Sequence, residues 1–497
     1  MTDYGSLFEI IFGGYALVFL SLGVTIGLLF GAIPGLTGSV AVALALPFMI
    51  VLTPADGFAL LIGIYKGTLF GGSLSAIGFG MPGTPEASAT VFDGYKLTRK
   101  GKPIRAVKTA LYSSVAADTM SDLVVIFTFM PLAALAIRFG PTEFFALLLV
   151  SLSSVVVFAG KSTPKAIVAA GIGLVAGSMG SDPIDAQSRM TFGSLALFDG
   201  LPLLPFLIGL FSFSEIMTQF GNIRASAESN KTIESGATQT NRPIDDNITF
   251  REWLGCWREV GIGTITGTIL GALPGPGSTL SAYMSYALAG RLRRNRDRFG
   301  TGVIEGVAAA ESGNSATAGA TFIPLFAFGI PGSAMAALFA TAFMIQGLTP
   351  GPGMLNQNPT LMYAILGLLI VANLVNLIVS GFLARGFMRI ATLRSAYLLP
   401  VLLVVATMGV YAYHASSLDV LIMVCAGVLG YGMRRFDYPL APCLLAFIVA
   451  PLVETHMRRG LLLADDWSYW VSSPISVGLY AVFIGAIILL VRSRASA

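Results

Sequence analysis

The sequence predicts an all-α polytopic membrane protein built from two inverted structural repeats with discontinuous, re-entrant helices. Three observations predict it. Across 497 residues, 55% are hydrophobic and 11% charged, with a mean hydropathy of +0.78, whereas soluble domains carry about 25% charged residues. Runs such as residues 15–30, 144–160, 361–383 and 477–491 approach or exceed the ~20 apolar residues that cross a ~30 Å hydrocarbon core, so that roughly a dozen or more membrane segments are expected. Finally, Pro-Gly pairs interrupt apolar stretches at related places in two halves of the chain.

Taken in order, the chain opens with an apolar run. No Lys or Arg precedes Lys66, so the basic n-region of a signal peptide is missing and the run reads as a membrane segment. "GAIPGLTGSVAVALALPF" begins at Gly31, and "GFGMPGTPEASA" carries Pro82-Gly83. A basic loop follows, "KLTRKGKPIRAVK" at 96–108, and then "SVAADTMSDLVV", which sets Asp118 and Asp122 four residues apart on one helix face. "FAGKSTP", from Phe158, has Val155 where a phosphate-binding loop needs glycine, so ATP hydrolysis by that route is excluded.

The stretch 221–252 is too polar for lipid and too poor in apolar residues to pack a core. It divides the chain into a first membrane half (1–220), a polar cytoplasmic linker (221–252) and a second membrane half (253–497). The second half repeats the first: "GALPGPGSTLSAYMSYAL" begins at Gly271, and "AFGIPGSAMAAL" carries Pro331-Gly332. From Gly31 to Gly80 is 49 residues and from Gly271 to Gly329 is 58, the excess being accommodated by the basic insertion 291–300. The basic loops follow opposite members of the two motif pairs. Since positive loops face the cytoplasm, the two repeats are expected to be inverted, with 96–108, 291–298, the linker and the tail bearing Arg492 and Arg494 inside, and 53–57 and 349–353 outside.

The remaining features are bland. Cys256, Cys425 and Cys443 form no disulfide framework, and His414 and His456 form no metalloprotease pair. No catalytic residue is expected. Nothing in the net charge of +4 asks for nucleic acid. "DDWSYW", from Asp465, reads as an interfacial aromatic belt.

A chain that breaks its own helix in lipid leaves unsatisfied backbone groups, which is tolerated only in protein or beside a cavity. The N-terminus of the following half-helix offers free N–H groups and a positive dipole end to an anion. The breaks at Pro34-Gly35, Pro82-Gly83, Pro274-Gly275 and Pro331-Gly332 are therefore expected to surround one midplane pocket, although Pro and Gly also serve as packing kinks in membrane helices.

The stretches "YKGTLFGGSLSAIGFGMPGTPEASATVFDGYKLTRKGKP" and "FGTGVIEGVAAAESGNSATAGATFIPLFAFGIPGSAMAALFATAFMIQGLTPGP" resemble the large membrane subunit of the tripartite tricarboxylate transporter family, with similarity from about Gly31 to Gly353. The resemblance implies a bacterial inner-membrane carrier that takes up di- or tricarboxylates by symport with Na⁺ or H⁺. It also implies a small membrane subunit and a periplasmic substrate-binding protein as partners. The chain departs from the family pattern at Glu86, where a small residue is usual, and at "AESGNS" (310–315), where a Pro-Glu-Ala-Ala-Asn-Asn run is usual.

The expected substrate-binding positions are Gly35, Gly83, Thr84, Gly275, Ser278, Thr279, Gly332 and Ser333. The expected coupling-ion positions are Asn314, Ser312 and Asp118, with Asn314 the candidate Na⁺ ligand and Asp118 the proton alternative; no other cofactor is expected. The alternative for Ser and Thr is a bond back to their own helices. Asp118 and Asp122 either lie deep, on an ion pathway, or lie shallow on an amphipathic stretch. Asn373 and Asn376 occupy a comparable position in the second half, and Glu311 is close enough along the chain to the Arg-rich loop to form an interfacial ion pair. The alternative function is a channel or a passive membrane scaffold for partner subunits.

Overall fold

The computed structural model describes residues 8–33, 36–158, 162–182, 185, 187–228, 247–275, 277–292, 298–390, 399–464 and 466–495. The first half contributes α1 (Ala16–Ala32), α2 (Gly38–Ala45), α3 (Pro54–Phe79), a 3-10 segment (Pro85–Thr90), α4 (Val91–Arg99) and α5 (Pro103–Ala136). After it come α6 (Pro141–Phe158), α7 (Thr163–Gly177), a two-stranded ribbon of β1 (Gly180–Ser181) and β2 (Ser188–Arg189), and α8 (Ser214–Glu228). The second half repeats the order: α9 (Trp257–Ala272), α10 (Gly277–Leu292), α11 (Ile304–Ala320), α12 (Phe322–Phe328), α13 (Ala334–Ile345) and α14 (Pro359–Ile390). Helices α15 (Leu399–His414), α16 (Ser417–Arg435), α17 (Leu440–Leu463) and α18 (Pro474–Ala495) complete it.

Seven helices among the described residues are long and apolar enough to cross a membrane, and six apolar helices are shorter. The expected dozen or more segments thus divide into full spans and partial ones. The polar stretch 221–252 lies largely outside the described residues. Its last residues form a capping box in which Thr249 and Glu252 satisfy each other's backbone N–H groups.

Local chemistry sets the helix ends that precede the two Pro-Gly pairs. Thr53 caps α3 by accepting from the Asp56 amide at 3.3 Å, and Pro54 fills the first helical position, where its missing N–H costs nothing. At the other end Gly80 adopts φ +69° and donates to the Ala76 carbonyl; Gly329 ends α12 with φ +72° and donates to Leu325. The helices therefore stop at left-handed glycine caps three residues before Gly83 and Gly332. This corrects the expectation that the Pro-Gly pairs themselves end the helices: they lie in the re-entrant crossing that follows.

Corresponding helices run in opposite directions. Helix α3 starts beside 49–53, where Gln346 Nε2 donates to the Met49 carbonyl and brings the 346–349 loop to the same end. Helix α11 starts at the opposite, basic end. There the Lys96 ammonium donates to the Gly300 carbonyl, Arg105 pairs with Glu252 at 3.0 Å and Lys108 donates to Asn247. Buried Asp93 ties that end together by accepting from the amides of Gly300, Gly302 and Val303 and from the Tyr286 hydroxyl.

Glycine lets the spans approach. A Cβ on Gly27 would lie 2.3 Å from the Ile64 carbonyl oxygen, and one on Gly67 would lie 2.4 Å from that of Val24, so α1 and α3 touch backbone to backbone. The matching α9 and α11 meet at Gly263, Gly267 and Gly271 against Ser312, Gly313, Ala316 and Thr317. Helix α5 then packs on α11 and α14 on α3, so each half covers the other. The aromatic core, with Phe58–Phe343 ring centroids at 4.3 Å and Phe322–Phe339 at 4.8 Å, fills the space between α3, α12 and α13.

Candidate functional site

The two re-entrant loops dip toward each other from opposite ends. In the first, Thr84 returns to the level of Gly72, and the Gly83 amide donates to the Gly72 carbonyl at 3.2 Å. In the second, the Ser333 hydroxyl meets that of Thr321 at 2.9 Å. An offset of 249 residues relates these pairs (72 to 321, 84 to 333), as it relates the caps Gly80 and Gly329. Between the tips lies a cavity of about 250 Å³.

Matched residues from both halves line it. Thr37, Gly38 and Ser39 open α2 on one side, and Gly277, Ser278 and Thr279 open α10 on the other. Tyr65, Thr68, Thr84 and Glu86 face Thr317, Thr321, Gly332, Ser333 and Ala334, with Pro439 and Pro442 closing the wall. Helix α13 brings its N-terminus to this space. The Ser333 hydroxyl accepts from the Ala336 amide at 3.1 Å, leaving the first-turn amides of Ala334 and Met335, both on the wall, as open donors.

Of the expected substrate-binding residues, Thr84, Gly275, Ser278, Thr279, Gly332 and Ser333 line this cavity. Gly35 lies outside the described residues. Gly83 is elsewhere engaged: its amide is bonded to Gly72, and a Cβ there would fall 1.9 Å from the Gly31 carbonyl oxygen, so this glycine serves backbone packing. Gly275 lines the wall, but its amide is bonded to the Gly332 carbonyl at 2.9 Å. The Thr84 hydroxyl is buried without a hydrogen-bond partner among the described residues.

The expected coupling-ion residues fall in three different settings. Asn314 is fully buried in α11, and neither atom of its side-chain amide has a hydrogen-bond partner among the described residues. The Ser312 hydroxyl turns back to donate to the Ala308 carbonyl at 2.6 Å, leaving Asn314 without it. Asp118 belongs to a buried charge cluster: Lys66 Nζ lies 2.9 Å from Asp118 Oδ2, 2.6 Å from Asp122 Oδ2 and 2.8 Å from Asn373 Oδ1. Asn373 Nδ2 also donates to Asp122 at 2.7 Å. Both aspartates are buried within the protein.

Glu311 departs from expectation. It is fully buried and forms no ion pair among the described residues, its carboxylate bonded by the hydroxyls of Ser73 (2.6 Å), Thr90 and Ser114 (3.1 Å); residues 293–297 of the Arg-rich loop lie outside the described residues. Sequence reasoning also missed Lys66, Tyr65 and the wall position of Glu86. A lone lysine in a 26-residue apolar helix was the available signal for the first, because an intramembrane cation needs a partner.

Opposed re-entrant tips around a cavity that carries hydroxyls from both halves, in a bundle of long apolar helices, define a multi-pass membrane transport protein. The model of the tripartite tricarboxylate transporter TctA family matches residues 17–445, and the chain belongs to that family. A relative described as an uncharacterized 52.8 kDa protein in the TAR-I ttuC' 3' region of Agrobacterium vitis is 34% identical over 474 residues, covering 95% of this chain and 92% of the relative. A protein of the TAR-II ttuC' 3' region of the same organism is 36% identical over 224 residues, 45% of this chain and 93% of that protein. No solved structure matches the chain. The family is one of transporters rather than enzymes, and its tripartite character implies partner subunits.

Proposed function

We propose that the chain is the transmembrane subunit of a binding-protein-dependent carrier in a bacterial inner membrane, taking up small di- or tricarboxylates by symport with Na⁺ or H⁺. One observation carries the reading: the N-terminus of α13 enters a 250 Å³ cavity together with hydroxyls from both halves. Backbone N–H groups attract a carboxylate without leaving an unpaired buried cation when the site empties. In this reading Ser333, Thr321, Ser278 and Thr279 orient the substrate, and rocking of the opposed halves exposes the cavity to each side in turn. The basic end faces the cytoplasm. A periplasmic protein delivers substrate at the other end, and a small membrane subunit accompanies the chain. Asn314, with both amide atoms open, is the candidate Na⁺ ligand. Asp118, already paired with Lys66, is the proton alternative.

Counterflow tests the carrier. Vesicles holding the chain and preloaded with unlabelled citrate are expected to accumulate labelled citrate transiently above equilibrium. Simple equilibration without overshoot would instead identify a channel.

A further inference from the structure

Resting on the carrier reading above, we infer that Glu311, caged by the hydroxyls of Ser73, Thr90 and Ser114, is a proton-binding site whose occupancy is coupled to the first re-entrant tip. The cage joins four elements: α11 provides the carboxyl group, α3 Ser73, the 3-10 segment Thr90 and α5 Ser114. All four residues are buried. Every bond to the carboxyl comes from a neutral hydroxyl. An ionised carboxylate buried this way carries a charge that hydroxyl dipoles solvate but do not neutralise, and a proton neutralises it.

The charged and titratable groups of the elements packed against α11 are committed elsewhere. Lys66 of α3 holds Asp118 and Asp122 of α5. Asp93 of α4 is bonded by amides and by Tyr286 of α10, while Lys108 and Arg105 of α5 and Lys96 of α4 bond at the basic end. Tyr65 of α3 and Glu86 of the 3-10 segment face the cavity. Glu259 of α9 has partners of its own, and Arg258 is exposed. No cation among the described residues bonds Glu311.

The position of the cage supplies the coupling. Ser73 follows Gly72, whose carbonyl holds the Gly83 amide, and Thr90 ends the 3-10 segment that follows Thr84 and carries Glu86 on the cavity wall. The two arms of the re-entrant loop are thus both bonded to one carboxyl. When Glu311 is ionised, all three hydroxyls donate to it. When it binds a proton, its own O–H requires an acceptor, and one hydroxyl must turn from donor to acceptor, which changes the hold on the tip. The step is a reversible protonation, taking one proton from one aqueous face and returning it to the other, with no bond to substrate made or broken.

Two readouts test this. Infrared difference spectra of the purified full chain, taken between mildly acidic and mildly alkaline buffer, are expected to show a protonated-carboxyl C=O band that is absent in Glu311→Gln and retained in Asp118→Asn. Identical spectra for the wild type and Glu311→Gln would overturn the proposal, whatever the chain transports. In vesicles, Glu311→Gln, which mimics the neutral acid, is expected to keep citrate counterflow but lose all accumulation driven by a pH gradient. Accumulation by Glu311→Gln equal to wild type would overturn the proposal, as would wild-type accumulation driven by a sodium gradient alone. If the variant loses counterflow as well, the infrared comparison decides. Absence of counterflow in the wild type would count against the carrier reading and leave the infrared test of Glu311 standing.

Discussion

The two re-entrant tips share one plan and differ in charge. Both descend from a left-handed glycine, Gly80 or Gly329, and both return to a hydroxyl residue, Thr84 or Ser333, on the wall of one cavity. At Ser333 the chain enters an α-helix through a side-chain cap. At Thr84 it enters a 3-10 segment whose first residue is Pro85, which has no N–H to offer, and the Thr84 hydroxyl caps nothing. The same 249-residue offset sets Glu86 against Met335 and Lys66 against Ser315. The second half thus presents the donor-rich tip suited to an anion. The first half holds a carboxylate at the wall and a buried lysine behind it. The backbones of the two tips are alike, and their side chains are not.

The largest effect is expected at the charge that only the first half has. Lys66→Met strands two buried aspartates and is expected to destabilise the chain by about 3–5 kcal/mol. Adding Asp118→Asn and Asp122→Asn should recover most of that loss, as read by thermal unfolding in detergent. Failure of the triple variant to recover would show that Lys66 acts through packing instead.

Next come the paired glycines. A Cβ at Gly83 meets the Gly31 carbonyl oxygen at 1.9 Å, whereas one at Gly332 finds its nearest neighbour, Pro324, at 3.3 Å. Gly83→Ala is expected to cost roughly 1–3 kcal/mol through overpacking against rigid backbone. Gly332→Ala should stay within about 0.5 kcal/mol in stability while crowding the cavity and weakening citrate binding. Equal destabilisation would erase the difference drawn between the tips.

How far the sequence foretold this comparison depends on the distance between interacting residues. The repeats, the two breaks and the opposed directions were legible because glycine, proline and the basic loops mark the chain locally. The wall positions of Thr84, Ser278, Thr279 and Ser333 followed from standing beside a break. Partners remote in sequence were not legible. Lys66 meets carboxylates 52 and 56 residues away and an asparagine 307 away, and Glu311 meets hydroxyls 197 to 238 away. Gly83 misled for the same reason: its contact with Gly31 is made across the α1–α3 seam, which the spaced glycines 23, 27 and 31 and 63, 67 and 71 signal only once they are read as a zipper.

Smaller effects sharpen the asymmetry. Ser333→Ala removes the cap of α13, which is expected to cost about 1 kcal/mol of stability and to weaken citrate binding in calorimetry about tenfold, since the helix end loses its fixed geometry. Thr84→Val replaces an unpartnered buried hydroxyl with an isosteric methyl and should change stability by less than about 0.5 kcal/mol. A loss at Thr84 as large as that at Ser333 would make the two tips equivalent.

The central claim, that the carboxylate sits between the tips, is tested most directly by substrate protection of a cysteine on the cavity wall. With Cys256, Cys425 and Cys443 replaced, Ser278→Cys is expected to react with a small charged thiol reagent at a rate that citrate lowers severalfold. An unaltered rate at position 278, under conditions where the same protein exchanges citrate, would contradict the account and place the substrate elsewhere.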